Sequence, residues 1–328
     1  MKFVSLLFLL AFSFVARSQQ PADNVDDTQM LSTLTAEQTQ QAVQRMAQHI
    51  EANYLYPEKA KAAAAMLRGK LAMGDFNRQY DVGLLNLQIS TLLAKATDDT
   101  GFELVPYAAN TRLDGTKPSM SISSASQHQL DRFETGMLNQ RIGYVRITGN
   151  FDYPDRNLMI AEQLQPLASA DALIIDLRQA DHASLTVALQ LMSYFVPPDT
   201  AIAHLQMQQH TNAIHTVQLT EKTRFKAAMP VYIVTSAFVA GSWEFFSYTL
   251  QQHDKAVIVG EQTMGVGYLS QPYPVSDHLA IRLNHALITQ APSGTHWDEQ
   301  GVEPDYAFSS EEAFDKAYQL ALARLAAD

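Results

Sequence analysis

The sequence predicts a mixed α/β protein, a helical N-terminal region followed by a domain in which buried strands alternate with helices. Three observations predict it. Short, nearly continuous apolar runs at Ala172–Arg178, Val231–Val234 and Ala256–Val259 have the pattern of strands covered on both faces. Helical-period stretches at Leu158–Leu167, Leu185–Phe195 and Ala240–Gln252 stand beside them. Ahead of residue 140, by contrast, the regular period is helical.

Taken in order, Met1–Ser18 opens with Lys2, carries an apolar run from Phe3 to Ala16, and places Ala16 and Ser18 at the −3 and −1 positions of a signal-peptidase site. The run is too short for a membrane span, so a secretory signal is expected at 1–18, with no lipobox cysteine after it. Residues 19–34 are polar and read as a flexible leader. A helical subdomain is expected over 35–104. Thr35 and Gln38 form a capping box, and Val43, Met46, Ala47 and Ile50 share one helical face. Pro57 interrupts, a second helix carries Ala60, Ala64, Leu67 and Leu71, and Gly74-Asp75 breaks it. A third runs from about Val82 to Ala96 with Leu85, Ile89 and Leu92 on one side.

Residues 105–140, with the polar cluster Lys117–Ser126, read as a linker too short to hold a PDZ domain. The α/β domain is expected over 141–328. Ile142–Ile147 and His278–Gln290 alternate as strands, and Ser310–Ala326 closes the chain as an amphipathic helix. Pro230–Gly267 is its centre: strand, turn, helix, second strand, then a loop punctuated by Gly260, Gly265 and Gly267. A strand feeding a helix N-terminus into a cleft is where free N–H groups and a positive dipole end can meet developing negative charge.

At 328 residues and 47% hydrophobic content, the chain can bury a sizeable core. Net charge is −11 with no basic run, which argues against nucleic acid or an anionic membrane as partner. There is no cysteine, hence no disulfide, thiolate zinc site or cysteine nucleophile. No HExxH and no acids clustered with histidine point to a metal, and no cofactor is implied.

Five stretches together resemble the tail-specific (C-terminal processing) serine peptidases, in the branch related to interphotoreceptor retinoid-binding protein and the tricorn core. They are Asn53–Phe76, Ile142–Ile147, Leu173–Arg178 (LIIDLR), Pro230–Thr263 (PVYIVTS to GEQT) and Ala291–Tyr306 (APSGTHWDEQGVEPDY). Their order and spacing, over roughly Ala36–Tyr306, make the resemblance specific. It implies a crotonase/ClpP-like spiral α/β domain preceded by a small helical subdomain, without a PDZ domain. It also implies a catalytic Ser, a His and an orienting acid. The serine position is Gly241, with Ser242 one residue later. The D-x-H-L position reads Asp99-Thr100-Gly101-Phe102, so glycine stands for histidine. The acid aligns with Asp298, and the glycine-rich oxyanion turn is replaced by Gln179–Ser184.

A serine nucleophile needs a base, an orienter and oxyanion donors. Loss of nucleophile or base alone removes nearly all triad catalysis. Ser242 is the one nearby hydroxyl, but a one-residue shift on a helix turns a side chain by about 100°, which favours a capping or packing role. His182 and His296 are candidate replacement bases, and solvated loop histidines are the plainer reading. Asp298 is the surviving acid. Gln179, Glu261, Thr263, Gly265 and Trp297 complete the expected cleft, with Glu261 and Thr263 expected to shape its loop and Trp243 and Trp297 expected in the core.

Three readings follow: a secreted or periplasmic, non-catalytic relative binding an extended peptide, an unfolded segment or a small apolar ligand; an active serine peptidase using Ser242; or a partner-binding scaffold.

Overall fold

The computed structural model describes residues 33–107, 132–139, 141–151, 157–219, 225–226, 228–291 and 293–327. The expected signal segment, the leader up to residue 32, and the Lys117–Ser126 cluster lie outside the described residues.

Thr35 begins helix α1 (Ala36–Asn53). Its Oγ1 accepts the Gln38 N–H at 3.2 Å, and Gln38 Oε1 accepts the Thr35 N–H at 2.9 Å, the capping box read from the sequence. Helix α2 (Pro57–Ala72) starts on proline, whose missing N–H is harmless in a first turn. Helix α3 (Val82–Thr97) is capped by Asp81, which accepts the Leu84 N–H at 3.1 Å. Two-residue strands β1 (Thr33–Leu34) and β2 (Tyr80–Asp81) pair antiparallel and tie the start of α1 to the start of α3.

The larger sheet has six strands. They are β4 (Arg132–Leu138), β5 (Ile142–Phe151), β6 (Ala172–Ala183), β9 (Val231–Thr235), β10 (Val257–Gly260) and β13 (Tyr306–Ala307), in the spatial order β13-β10-β9-β6-β5-β4. All neighbours are parallel except the β4–β5 hairpin. Alternate residues face two cores, which is why these strands read as unbroken apolar runs. Leu173, Ile175 and Ile233 pack with Val187, Leu191, Trp243 and Phe246, from helices α5 (Leu185–Met192) and α6 (Ser242–Gln252), with α4 (Asn157–Leu164) alongside. Ile174, Tyr232 and Val234 meet Ala313, Ala317 and Ala321 of helix α7 (Ser310–Ala327) on the other face.

A second, antiparallel sheet runs β11 (Tyr268–Pro274), β12 (Leu279–Gln290), β7 (Ala201–Met207), β8 (Thr211–His215), and β3 (Glu103–Pro106) pairs with β12. It receives the helical region. Val43, Met46, Ile50, Leu85 and Ile89 share one core with Leu279, Ile281 and Leu283 of β12. Full burial of such a side chain is worth ~1.5–3 kcal/mol, so sheet and helices stabilise one another.

Two expectations are corrected. The stretch 105–140 holds strand as well as connection: β3 runs to Pro106 and β4 occupies Arg132–Leu138. The rebuilt turn at Gln179–Ser184 is not a turn. β6 continues to Ala183, paired to β5 through Phe151↔Ala183, and Ser184 then caps α5 by accepting the Val187 N–H. Without glycine, nothing forces the chain out of extended conformation, and β5 supplies a partner strand.

Candidate functional site

The site lies where parallel strands end and helix α6 begins, the position at which open α/β sheets present ligands. Thr235 Oγ1 donates to Glu261 O at 2.8 Å and Ser236 Oγ donates to Arg178 O at 3.2 Å, so the turn leaving β9 is tied to β6 and to the glycine loop. Glu261 accepts the Ala237 N–H at 3.1 Å.

Gly241 follows, with φ +59° and ψ −119°. L-residues reach that region only under strain, and it suits a sharp strand-to-helix turn that thrusts a side chain outward. A Cβ built on Gly241 meets nothing within 4 Å. The backbone of a half-buried turn that would strain any L-residue is present, and its side chain is not.

Glu244, three residues on, is fully buried and holds this turn to the glycine loop. Its carboxylate accepts four donors: Gly241 N–H at 2.9 Å, Val266 N–H at 2.8 Å, Gly265 N–H at 2.6 Å and Thr263 Oγ1 at 2.5 Å. Charge-assisted bonds of this kind are among the strong ones. Thr263 Oγ1 also accepts the Val302 N–H at 2.7 Å, and Gly265 (φ +90°) is pressed so closely on Glu299–Gly301 that a Cβ would sit 3.0 Å from backbone. Thr263 and Gly265 are therefore internal struts, not ligand contacts. Trp297 is likewise core: it stacks on Phe245 at 6.0 Å and donates Nε1–H to Val266 O at 3.2 Å. Sequence reasoning missed Glu244; its spacing of three from Gly241, the back-reaching position of a capping box, was the available signal.

Ahead of β3, Asp99 accepts three hydrogen bonds. Oδ1 accepts the Gly101 N–H at 2.7 Å, and Oδ2 accepts Tyr54 Oη–H and Asn284 Nδ2–H, each at 2.9 Å. Burial and the Asp99 charge push the Tyr54 phenol far above its ordinary range. Asn284 in turn accepts Ser270 Oγ–H at 2.6 Å. Its strand is bulged here: the β11 register slips between Leu269 and Ser270, so Asn284 pairs with Ser270 and Ala286 with Leu269. A bulge re-aims neighbouring side chains. A Cβ on Gly101 would lie 2.8 Å from Asn284 Nδ2 and 3.0 Å from Asp99 Oδ1. The amide and the carboxylate occupy the space that a larger residue at 101 would need.

Asp298 is 7% exposed, and Gly267 N–H donates to its Oδ1 at 3.0 Å. Burial raises its pKa, the Gly267 N–H opposes that, and the charges of Glu299 and Asp99 add to the rise while His296 counters it. Burial, and then the charges of Asp298 and Asp99, raise the phenols of Tyr56 and Tyr268. Ser242 is half-buried at the first position of α6, and its Oγ makes no hydrogen bond among the described residues. His296 is exposed in the loop beside Asp298, and His182 is exposed near the end of β6. Gln179 accepts from Arg146 and lines a cavity of about 230 Å³ with Arg178, Ser236 and Phe238. Asp298 is not among the residues that line that cavity.

The sequence model of peptidase family S41 matches residues 141–308, just over half of the chain. The chain belongs to peptidase family S41. This S41 chain is 26% identical over 168 residues to a carboxy-terminal-processing protease of Bartonella bacilliformis, covering 50% of this chain and 38% of that protein. It is 24% identical over 229 residues to the carboxyl-terminal-processing protease of Synechocystis sp., covering 69% of this chain and 51% of that one. It spans about half or less of the length of these relatives. Among solved structures, the photosystem II D1 C-terminal processing protease superposes with a TM-score of 0.60 at 14% identity, over 83% of this chain and 94% of that one. That likeness shows the expected S41 fold.

Proposed function

We propose that this S41 chain is a non-catalytic, exported member of the family whose old cleft binds an extended peptide, an unfolded segment or a small apolar ligand. One observation carries the reading. The residue at the strained turn, Gly241, has no side chain, and Asn284 and Asp99 fill the space at Gly101 that an imidazole would require. Neither an attacking oxygen nor its base stands at the aligned positions, and an unassisted Ser242 is a weak nucleophile near neutral pH. The long β6, whose backbone pairs with β5 to Ala183, leaves no glycine turn to aim donors at an oxyanion.

Peptides are the ligand class favoured by the relatives' names, and the exposed Phe238 and Met264 beside the turn suit an apolar side chain. Export rests on the N-terminal pattern, and no helix among the described residues is long and apolar enough to cross a membrane. Mass spectrometry of the protein from its native host should find Gln19 or a neighbour at the N-terminus, and an intact Met1 in the cytoplasmic fraction would remove the export claim.

Binding is tested by titrating reduced, unfolded casein and apolar tail peptides into the purified protein by calorimetry, with the mixtures then analysed by mass spectrometry. Binding without cleavage is expected. Cleavage abolished by Ser242→Ala would overturn the reading in favour of a shifted nucleophile.

A further inference from the structure

Where Gln179–Ser184 replaces a glycine-rich turn, β6 slips against its parallel neighbour β5. Arg146 pairs with Asp176, and Thr148, two residues on, pairs with Gln179, three residues on. Such bulges are rare in parallel pairs, and they re-aim the side chains around them. In a regular strand Asp176 and Arg178 would share one face and Gln179 would take the other. Here all three, with Arg146, line one cavity of about 230 Å³, beside Phe238 and the start of α7.

Two of these groups are spent on one another. Asp176 is buried and accepts four hydrogen bonds: from Arg178 N–H at 3.2 Å and Nε–H at 2.9 Å on Oδ1, and from Arg178 Nη2–H at 2.7 Å and Tyr144 Oη–H at 3.1 Å on Oδ2. The last Arg178 nitrogen, Nη1, donates to Ser310 O at 2.5 Å. Arg146 is different. Its Nη2 donates to Gln179 Oε1, and its Nη1 stands 3.9 Å from Glu134 Oε2, too far for a hydrogen bond. A guanidinium carries five N–H donors and an amide two. Arg146 Nε and Nη1 and Gln179 Nε2 thus have no hydrogen-bond acceptor among the described residues. Phe238, 79% exposed, supplies an apolar wall, and exposed Glu311 is the one opposing charge on the rim.

We propose that this cavity binds a small carboxylate on an aromatic or apolar carrier, with Arg146 and the Gln179 amide as donors and Phe238 against the carrier. The planar guanidinium fork matches a carboxylate, and the bond to Gln179 already holds that fork in place. The volume fixes the size. Pockets for drug-sized ligands run to about 300–1,000 Å³, so this one suits a single ring with its acid group. Gly241, Gly101 and Asp298 do not line the cavity, so the site goes beyond the cleft reading and stands or falls apart from it.

The test titrates phenylacetate, phenylacetamide and phenethylamine, probes of matched size, into the full chain by calorimetry at low salt. A charge-assisted contact at Arg146 predicts that phenylacetate binds about tenfold more tightly than phenylacetamide, with phenethylamine weakest. Arg146→Gln should bring phenylacetate down to the level of the amide. Glu311→Gln removes the opposing charge and should tighten phenylacetate several-fold, while Phe238→Ala should weaken it. Both side chains are exposed, so these two variants keep the test decisive if Arg146→Gln does not fold. A short peptide ending in phenylalanine, as free acid and as amide, separates the sources of the carboxylate. Competition with phenylacetate by the free-acid peptide alone assigns the site to a chain end, and competition by neither assigns it to a free acid. Equal affinity for phenylacetate and phenylacetamide, or no phenylacetate binding at millimolar concentration, overturns the proposal. So does equal competition by both peptides, or phenylacetate binding that Arg146→Gln leaves untouched or that neither exposed variant moves.

Discussion

Replacing Gly241 by alanine isolates the strain of the old nucleophile turn from every other effect. A Cβ there meets no atom within 4 Å, so there is no clash to relieve and no packing to gain. What remains is the backbone at φ +59°, ψ −119°. Holding an L-residue in such a region costs about 1–3 kcal/mol. The smaller conformational entropy of the unfolded alanine chain offsets about 0.4–1 kcal/mol of that. The net expectation is a loss of about 1–2 kcal/mol, a fall in Tm of roughly 1.5–3 °C for a chain of this size. Gly69→Ala is the control: it also meets nothing within 4 Å but lies inside α2, where alanine should add up to about 1 kcal/mol. Both variants are read by calorimetry and guanidinium denaturation. If Gly241→Ala is as stable as Gly69→Ala, the turn is not strained, and the inference that it keeps a nucleophile's backbone without the nucleophile fails.

Three further outcomes follow from the same geometry. Gly101→His should destabilise the protein because its Cβ would lie 2.8 Å from Asn284 Nδ2, and Asn284→Ala in the same chain should recover part of the loss; equal denaturation midpoints for the single and double variants would contradict the crowding. Glu244→Gln turns two of four accepted bonds into donor–donor contacts and should cost about 2–3 kcal/mol by denaturant titration; a change below 0.5 kcal/mol (about the scatter of surface substitutions) would show that the carboxylate is not the strut described. For Asp298, whose folded pKa is raised by burial, the stabilising state is the protonated one. Its contribution is present below the ordinary carboxylate value of 3.8 and is lost as pH rises through the raised value, so Asp298→Asn should match the wild type in acid and exceed it at neutral pH. An advantage that shrinks with rising pH would reverse the sign.

Much of the fold was legible because local signals and tertiary demands agreed. The Thr35–Gln38 box starts α1, and the run at Val231 is buried on both faces. The terminal helix begins at Ser310 as expected. Of the second sheet only β12 was legible, as the alternating run His278–Gln290. Thr211–His215 is almost wholly exposed, and Tyr268–Pro274 carries Pro272 and Pro274, which read as loop. β3 and β7 take their places in that sheet by pairing with β12, far away in sequence. At the site, Gly241, Gly101 and Asp298 could be named from the sequence. Their surroundings could not, because Asn284 reaches Asp99 across 185 positions and Glu244 reaches the glycine loop across 21. Trp297 and Thr263 stand in the right stretches but point inward, a matter of which face the loop buries.

The central claim is that no activated oxygen exists at this turn. Labelling the purified mature protein with a broad serine-reactive fluorophosphonate, read by intact mass and peptide mapping, tests it most directly. The account predicts no adduct on wild type or on Ser242→Ala at neutral pH. A stoichiometric adduct on Ser242, absent from Ser242→Ala, would contradict it.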